Sequence, residues 1–242
     1  MHQADLNTLA SYRNCASHGG FRDPALKLLN YTTMKPIASQ LLSQHPLISD
    51  QLSRPAMAVV LKQLEAVLAQ PISGAVVEFG CYIGTTTLFM RRLLNRYDPT
   101  GERQLYAYDS FTGLPPKTTN DASGTGEQFK AGELSVSKKQ FLQEFHKARL
   151  EPPITIKAWF KDLAEDQLPT KIAFAFLDGD FYESIIDSLR LVWPRLVKGG
   201  IITIDDYQKA ALPGVERAVR DFFQDKPLSI HHEHNIAIIK RR

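Results

Sequence analysis

The chain has 242 residues, of which 43% are hydrophobic and 23% charged, a composition that excludes fibrous and largely disordered proteins. Lysine and arginine exceed aspartate and glutamate by 29 to 26, without the concentrated basic run that a nucleic-acid binder normally needs. No uncharged apolar run approaches the ~20 residues that span a bilayer, and the N-terminus does not read as a signal peptide. Two cysteines, Cys15 and Cys81, are too few for a disulfide framework. We therefore expect a cytoplasmic protein with no membrane or nucleic-acid partner.

Residues 1–70 precede the first predicted strand, and parts of this segment have a sequence pattern typical of helices. Apolar residues recur at helical spacing over 57–68, which is typical of a helix with one buried face. The sequence predicts that residues 1–70 form a helical N-terminal extension or lid. A second domain then covers residues 71–242.

From about Ile72 onward, short apolar runs alternate with amphipathic stretches, the pattern of a parallel sheet covered by helices on both faces. The predicted strands cover 75–79, 104–108, 154–158, 172–177 and 201–204. The predicted helices cover 85–96, 137–148, 182–196 and 214–223, the third being stopped by Pro194 and the pair Gly199-Gly200. Two further runs, 228–232 and 235–239, predict a hairpin with Glu233 and His234 as its turn. The sequence thus predicts an α/β, Rossmann-like fold with a seven-stranded, mostly parallel sheet and a terminal antiparallel strand.

One long connection interrupts this alternation. Residues 113–133 are rich in Gly, Thr, Asn, Asp and Pro and poor in apolar side chains. A connection of that length is more often functional or mobile than structural filler. We expect it to help close a site and exclude water.

A glycine-rich turn follows the first predicted strand. Gly80 and Gly84 are spaced G-x-x-x-G, which differs from the dinucleotide fingerprint G-x-G-x-x-G. Glycine lets the backbone approach a ligand closely at the N-terminus of a helix. Because the spacing lacks the middle glycine that makes room for a pyrophosphate, the turn indicates a ligand without a phosphate bridge. The alternative is a tight strand-to-helix turn that uses glycine for its geometry alone.

Acidic residues follow three other predicted strands. Asp109 ends the second strand, where a doubly wound fold places the acid that holds a ribose diol, although it could instead cap the following loop. Asp178 follows the fourth strand, and Asp205 and Asp206 follow the fifth. Neighbouring parallel strands bring these three carboxylates into one small volume, and a hard cation such as Mg²⁺ would offset their repulsion. We predict Asp180 as the N-cap of the helix that begins at Tyr182.

The glycine turn and four further segments together resemble, in order and spacing, the macrocin O-methyltransferase family. The four segments are the D-S-F-T-G-L-P run at 109–115, the pair Trp159-Phe160, the L-D-G-D-F-Y-E-S run at 177–184, and the D-D-Y run at 205–207. The resemblance covers about 75–240, and the sequence departs from the family at Cys81-Tyr82-Ile83 in the first turn. Members of this family are class I S-adenosylmethionine enzymes that methylate sugar hydroxyls on antibiotics with a divalent metal.

The resemblance implies a role for each residue of the site. S-adenosylmethionine would be held at the two strand-end turns, and Mg²⁺ by the acids of the fourth and fifth strands, with Asp178 also acting as the candidate base. A homodimer is implied by the resemblance alone. The cofactor-binding candidates are Glu78, Gly80, Tyr82, Gly84, Thr85, Asp109 and Ser110, and the metal-binding candidates are Asp178, Asp205 and Asp206.

The predicted function is S-adenosylmethionine-dependent and Mg²⁺-dependent methylation of a hydroxyl on a small, glycosylated natural product. A catechol-type acceptor is an alternative, because the metal would chelate that diol equally well. A non-catalytic cofactor-binding or interaction module on the same scaffold is another. Trp159 and Phe160 could stack on the adenine or belong to the core. The histidine-rich run 231–234 reads as an exposed polar turn rather than a metal site.

Overall fold

Seven strands form one sheet in the computed structural model, which describes residues 35–126, 128–226 and 229–242. The first 34 residues of the predicted lid lie outside this range. The order across the sheet is β3-β2-β1-β4-β5-β7-β6, with β1 to β5 parallel and β7 antiparallel to both β5 and β6. The strands are β1 (Ala75–Phe79), β2 (Leu105–Asp109), β3 (Ile154–Lys157), β4 (Ile172–Leu177), β5 (Leu196–Ile204), β6 (His231–Glu233) and β7 (Ile236–Lys240).

Helices cover both faces of this sheet, as the alternation of apolar runs predicts. One core cluster joins α1, α2 and α3 to the sheet, and another joins α5 and α6 to its other face. All residues of β1 and β4 are buried, which explains why these central strands are apolar at every position except Glu78. The described helices are α1 (Ile37–Gln44), α2 (Arg54–Leu68), α3 (Thr85–Tyr97), α4 (Lys138–Ala148), α5 (Tyr182–Val192) and α6 (Pro213–Phe223). Within the described ranges, none of these helices has the length and apolar character that a membrane span needs.

The predicted helix 182–196 is too long. Helix α5 ends at Val192, a 3-10 turn covers Trp193–Arg195, and β5 begins at Leu196 rather than at residue 201. Gly199 lies inside β5 with φ +82, at an irregularity where the register between β4 and β5 shifts. The glycine pair therefore marks a bulge in a strand and not the end of a helix.

The terminal hairpin is present with its turn one residue later than predicted. Its strands are joined by His234 and Asn235, both at positive φ (51° and 63°). Two consecutive residues at positive φ form the type of two-residue turn that matches the twist of a hairpin, and asparagine tolerates this conformation better than most residues.

Candidate active site

A cavity of about 550 Å³ opens at the carboxyl ends of the parallel strands, where open α/β sheets bind ligands. Its walls come from the ends of β1, β2, β4 and β5, from the connection 113–133 and from α5. Gln51, in the connection between α1 and α2, also lines it. Of the predicted cofactor residues, four line the cavity: Gly80, Tyr82, Asp109 and Ser110.

Glycine is required at both positions of the turn by the protein's own packing. Gly80 has φ +85, and a Cβ there would lie 1.8 Å from the carbonyl oxygen of Asp178. Gly84, at the N-terminus of α3, has φ +94, and a Cβ would lie 2.9 Å from Cε2 of Phe141. Backbone geometry accounts for both glycines, while only the first of the two also lines the cavity.

Asp109 holds the glycine turn in place. Its Oδ2 accepts hydrogen bonds from the backbone N–H groups of Cys81 (2.9 Å) and Tyr82 (3.1 Å), and its Oδ1 accepts one from Phe111 (2.7 Å). A carboxylate oxygen can accept more than one hydrogen bond, so the side chain retains capacity for a ligand hydroxyl. The acid therefore organises the turn and faces the cavity at the same time.

Glu78, Gly84 and Thr85 are not among the residues that line the cavity. The Thr85 hydroxyl hydrogen bonds to that of Ser49 at 2.7 Å. Glu78 is 1% exposed, and its carboxyl accepts a short hydrogen bond from Thr87. Burial raises the pKa of Glu78 to about 8, against the lowering effect of that hydrogen bond.

This perturbed carboxyl leads to a prediction about stability. The folded-state pKa of Glu78 lies above the ordinary 4.5. The contribution of this carboxyl to the free energy of unfolding is therefore fully present below pH 4.5 and is lost as pH rises towards 8. Between pH 6 and pH 8.5 we expect the wild type to lose roughly 3 kcal/mol more unfolding free energy than Glu78→Gln. Urea unfolding of both proteins at the two pH values measures the difference. Parallel pH curves for the two proteins would contradict the assignment.

Four aspartates form an acidic cluster at the ends of β4 and β5: Asp178, Asp180, Asp205 and Asp206. The last three are only 6 to 8% exposed. Burial, followed by the charges of the other three, raises the pKa of Asp178 well above its ordinary value, and burial and the charge of Asp206 raise that of Asp205 to about 7. Lys209 donates a hydrogen bond from Nζ to Oδ1 of Asp206 at 2.8 Å. The structure thus brings the three predicted metal ligands to one cavity wall.

The prediction that Asp180 caps α5 is wrong. Helix α5 has Phe181 at its N-cap without a side-chain cap, and Asp180 adopts φ +59 and lines the cavity as a member of the acidic cluster. Asp121 supplies the missing bond instead, since its Oδ1 accepts from the backbone N–H of Tyr182 at 2.7 Å. Asp121 also closes a capping box with Thr118. That local T-x-x-D pattern is visible in the sequence, but the contact 61 residues away is not.

The connection 113–133 is anchored at its centre by hydrogen bonds to other parts of the chain. Besides the contact of Asp121, Arg217 of α6 donates from Nη1 to the carbonyl of Asn120 at 2.5 Å, and Ser123 donates to the carbonyl of Ala210 at 2.9 Å. Apolar residues on either side of this anchor form one wall of the cavity: Leu114, Pro115, Pro116 and Phe129.

Asp121→Ala is expected to lower the free energy of unfolding by about 2 to 3 kcal/mol. The substitution leaves the partly buried N–H groups of Tyr182 and Thr118 without their acceptor, and an unsatisfied buried group costs about 1 to 3 kcal/mol. Denaturant unfolding measures the loss, with Asp166→Ala in an exposed 3-10 turn as the control. Equal stability of the two variants would show that the anchor is dispensable.

The pair Trp159 and Phe160 lies at the end of β3 and lines the same cavity. Trp159 is 37% exposed, while Phe160 packs edge-on against Phe79 at a centroid distance of 5.2 Å. One ring is therefore accessible to a planar ligand and the other belongs partly to the core. His231 and His232 lie in β6, outside the residues that line the cavity.

The acidic cluster fits a hard divalent cation by the chemistry of its donors. Carboxylate oxygens are the ligands that Mg²⁺ prefers, and mutually repelling buried carboxylates gain from a cation among them. In the part of the chain that the structure describes, no three or more His, Cys, Asp or Glu side chains converge closely enough to form a ready metal site. Binding of a cation would therefore require the side chains of the cluster to adjust.

The strand order and the cavity at the carboxyl edge define a class I, Rossmann-like methyltransferase fold. The solved structure of the O-methyltransferase NovP matches with a TM-score of 0.64 and 25% identity, over 76% of this chain and 78% of that one. Residues 50–236 match the profile of the macrocin-O-methyltransferase (TylF) family, and the chain belongs to this family. The resemblance seen in the sequence motifs is thereby confirmed.

Two curated relatives of this chain are named as O-methyltransferases. An 8-demethyl-8-(2,3-dimethoxy-alpha-L-rhamnosyl)-tetracenomycin-C 4'-O-methyltransferase of Streptomyces olivaceus is 33% identical over 66% of this chain. A mycinamicin III 3''-O-methyltransferase of Micromonospora griseorubida is 30% identical, also over 66% of this chain. The matched regions cover 61% and 64% of those two proteins, so this chain spans about three fifths of the length of the relatives it matches.

Proposed function

We propose that the protein is an S-adenosylmethionine-dependent, Mg²⁺-dependent O-methyltransferase that acts on a hydroxyl of a small, glycosylated natural product. One observation carries the proposal: a single cavity is lined by the glycine turn with Asp109 on one side and by the acidic cluster on the other. Family membership and the names of the matching relatives support the same activity.

The cofactor side of the cavity offers groups suited to S-adenosylmethionine. Asp109 would accept hydrogen bonds from the ribose hydroxyls, and the accessible ring of Trp159 would stack on the adenine. The close backbone at Gly80 and Tyr82 would line the path of the methionine portion, and Ser110 would border the nucleoside. In this arrangement Glu78, Gly84 and Thr85 would support the turn. When bound, the cofactor supplies an electrophilic sulfonium methyl group.

Asp178, Asp205 and Asp206 would hold Mg²⁺, which lowers the pKa of a hydroxyl bound to it. Asp178 is the predicted proton acceptor, and Asp180 is a second candidate because it is free of capping and buried in the same cluster. Without a bound cation, burial and the neighbouring carboxylates raise the pKa of both carboxyls above their ordinary values, and a cation held by the cluster would oppose that shift. Holding the acceptor oxygen in line with the methyl group would supply much of the remaining acceleration.

The cavity walls support an acceptor with an apolar body and a hydroxylated end. The apolar wall formed by the connection 113–133 would pack against an aglycone, while the carboxylates would meet the hydroxyl groups. The same carboxylates disfavour a phosphodiester acceptor. A vicinal diol of a sugar and that of a catechol are both compatible with the metal, so a catechol-type acceptor remains the alternative.

Calorimetric binding of S-adenosylmethionine, with and without Mg²⁺, to the wild type and to Asp205→Asn tests the two halves of the site separately. We expect submillimolar cofactor binding in both proteins and loss of Mg²⁺ binding in the variant. Mass spectrometry would then detect methylated product over a panel of glycosides and catechols. No cofactor binding under any condition would overturn the methyltransferase proposal, and binding without turnover of any acceptor would support the non-catalytic module.

The cellular setting of this activity also stays a prediction. The expectation of a cytoplasmic protein rests on the sequence, whose two cysteines are too few for a disulfide framework. The homodimer rests on the family resemblance alone, and size-exclusion chromatography with light scattering would test it.

A further inference from the structure

Lys209 forms an ion pair inside the acidic cluster. Its Nζ lies 2.8 Å from Oδ1 of Asp206, and the side chains of the pair are 31% and 12% exposed. A tight turn sets up this contact, because Asp206 adopts φ +55 and its carbonyl accepts the backbone N–H of Lys209 at 3.2 Å. The ion pair is therefore held by local backbone geometry as well as by charge.

The ammonium group offsets part of the negative charge of the cluster. Among the described residues, Lys209 is the residue that forms a salt bridge with a carboxylate of this cluster. Lys161 lines the same cavity and provides a comparison with equal charge.

A divalent cation and this ammonium group need the same carboxylate. The proposed metal ligands include Asp206, whose Oδ1 is engaged by Lys209, and no three His, Cys, Asp or Glu side chains of the described residues are arranged to hold a metal ion as they stand. Two cations sharing one buried carboxylate would repel each other. The ammonium group therefore opposes metal binding at Asp206, and a metal bound through Oδ1 requires the lysine to release that oxygen.

We infer that Lys209 is a built-in competitor of the divalent cation, holding Asp206 in the absence of metal and leaving it when the metal binds. This inference rests on the proposed metal-dependent function. The lysine would thereby keep the cluster folded without metal and set the Mg²⁺ concentration at which the site fills. It is a positioning residue, since it acts through Asp206.

Calorimetric titration with MgCl₂ tests the competition in Lys209→Met, Lys209→Arg and Lys161→Met. We expect Lys209→Met to bind Mg²⁺ roughly three- to tenfold more tightly than the wild type, because no ion pair has to be broken. Lys209→Arg keeps the charge and should stay near the wild type. Lys161→Met removes an equal charge from the same cavity without breaking this pair, so its affinity should change less than that of Lys209→Met.

Thermal unfolding gives a second readout that does not depend on activity. Without metal, Lys209→Met should unfold at a lower temperature than the wild type, and Mg²⁺ should stabilise it more. Unchanged or weaker Mg²⁺ affinity in Lys209→Met, with normal wild-type binding, would overturn the inference and leave the proposed metal site intact. Absence of Mg²⁺ binding in every variant, with cofactor binding retained, would overturn the metal site itself and the inference with it.

The wild type offers a test that does not depend on the folding of a variant. Acetylation of lysines with an amine-reactive reagent, followed by peptide mass spectrometry, should show faster modification of Lys209 when Mg²⁺ is present, because the ion pair has been released. The rate at Lys161 should not change. Equal acetylation of Lys209 with and without saturating Mg²⁺ would contradict the competition.

Discussion

Gly80→Ala is expected to destabilise the protein by more than about 4 kcal/mol and to abolish cofactor binding. The added methyl group would lie 1.8 Å from the carbonyl oxygen of Asp178, and the backbone is at φ +85, a region that alanine rarely adopts. Because the obstacle is backbone and not a flexible side chain, β1 and β4 would have to separate where Asp178 donates its N–H to the carbonyl of Phe79 at 2.8 Å. Thermal unfolding and calorimetry with S-adenosylmethionine measure the two effects.

Gly101→Ala is the matched control for the backbone conformation. Gly101 has φ +73, close to that of Gly80, but a Cβ there would meet nothing within 4 Å. We expect this variant to lose only about 1 to 2 kcal/mol and to bind the cofactor normally. If the two variants were equally stable, the close approach of the two strands would not be what requires glycine at Gly80.

The elements that sequence reasoning located well are those whose burial is uniform. The predicted bounds of β1 (75–79) and β4 (172–177) are confirmed, because both strands are buried throughout and are apolar at every position except Glu78. The prediction was wrong at the end of α5, where the glycine pair after Pro194 reads as a helix stop but belongs to a bulge in β5. A glycine signals an unusual backbone conformation without showing which element contains it.

The predicted topology was enough to identify which edge of the sheet carries the site. It was not enough to predict which individual side chains line the cavity. Parallel strands place their carboxyl ends at one edge, which is why Asp109 and the acidic cluster meet in one cavity. Sequence alone does not distinguish Tyr82, which lines the cavity, from Glu78, which does not. Asp121, and not Asp180, accepts the N–H at the start of α5 through a contact across 61 residues, which no local pattern reveals.

Asp178→Asn is expected to lower turnover by about a thousandfold or more, while cofactor affinity stays within severalfold of the wild type. The variant would remove a proposed metal ligand and the predicted proton acceptor together, and general-base catalysis alone contributes about 10² to 10⁴-fold. The glycine turn and Asp109 are held by bonds that do not involve the Asp178 carboxylate. Initial rates with the best acceptor from the panel, together with calorimetry of the cofactor, separate the two effects.

The stability of Asp178→Asn distinguishes a chemical loss from unfolding. The folded-state pKa of Asp178 is raised by burial and by Asp205 and Asp180, so this carboxyl contributes less stability as pH rises above its ordinary pKa. Asparagine carries no charge, and the variant should unfold at the same or a higher temperature than the wild type at pH 8. Asp187→Asn, on α5 at the same cavity, is the control and should retain most activity. A variant at position 178 that is stable and still turns over at the wild-type rate would remove Asp178 from the proposed chemistry and leave Asp180 as the carboxylate to test.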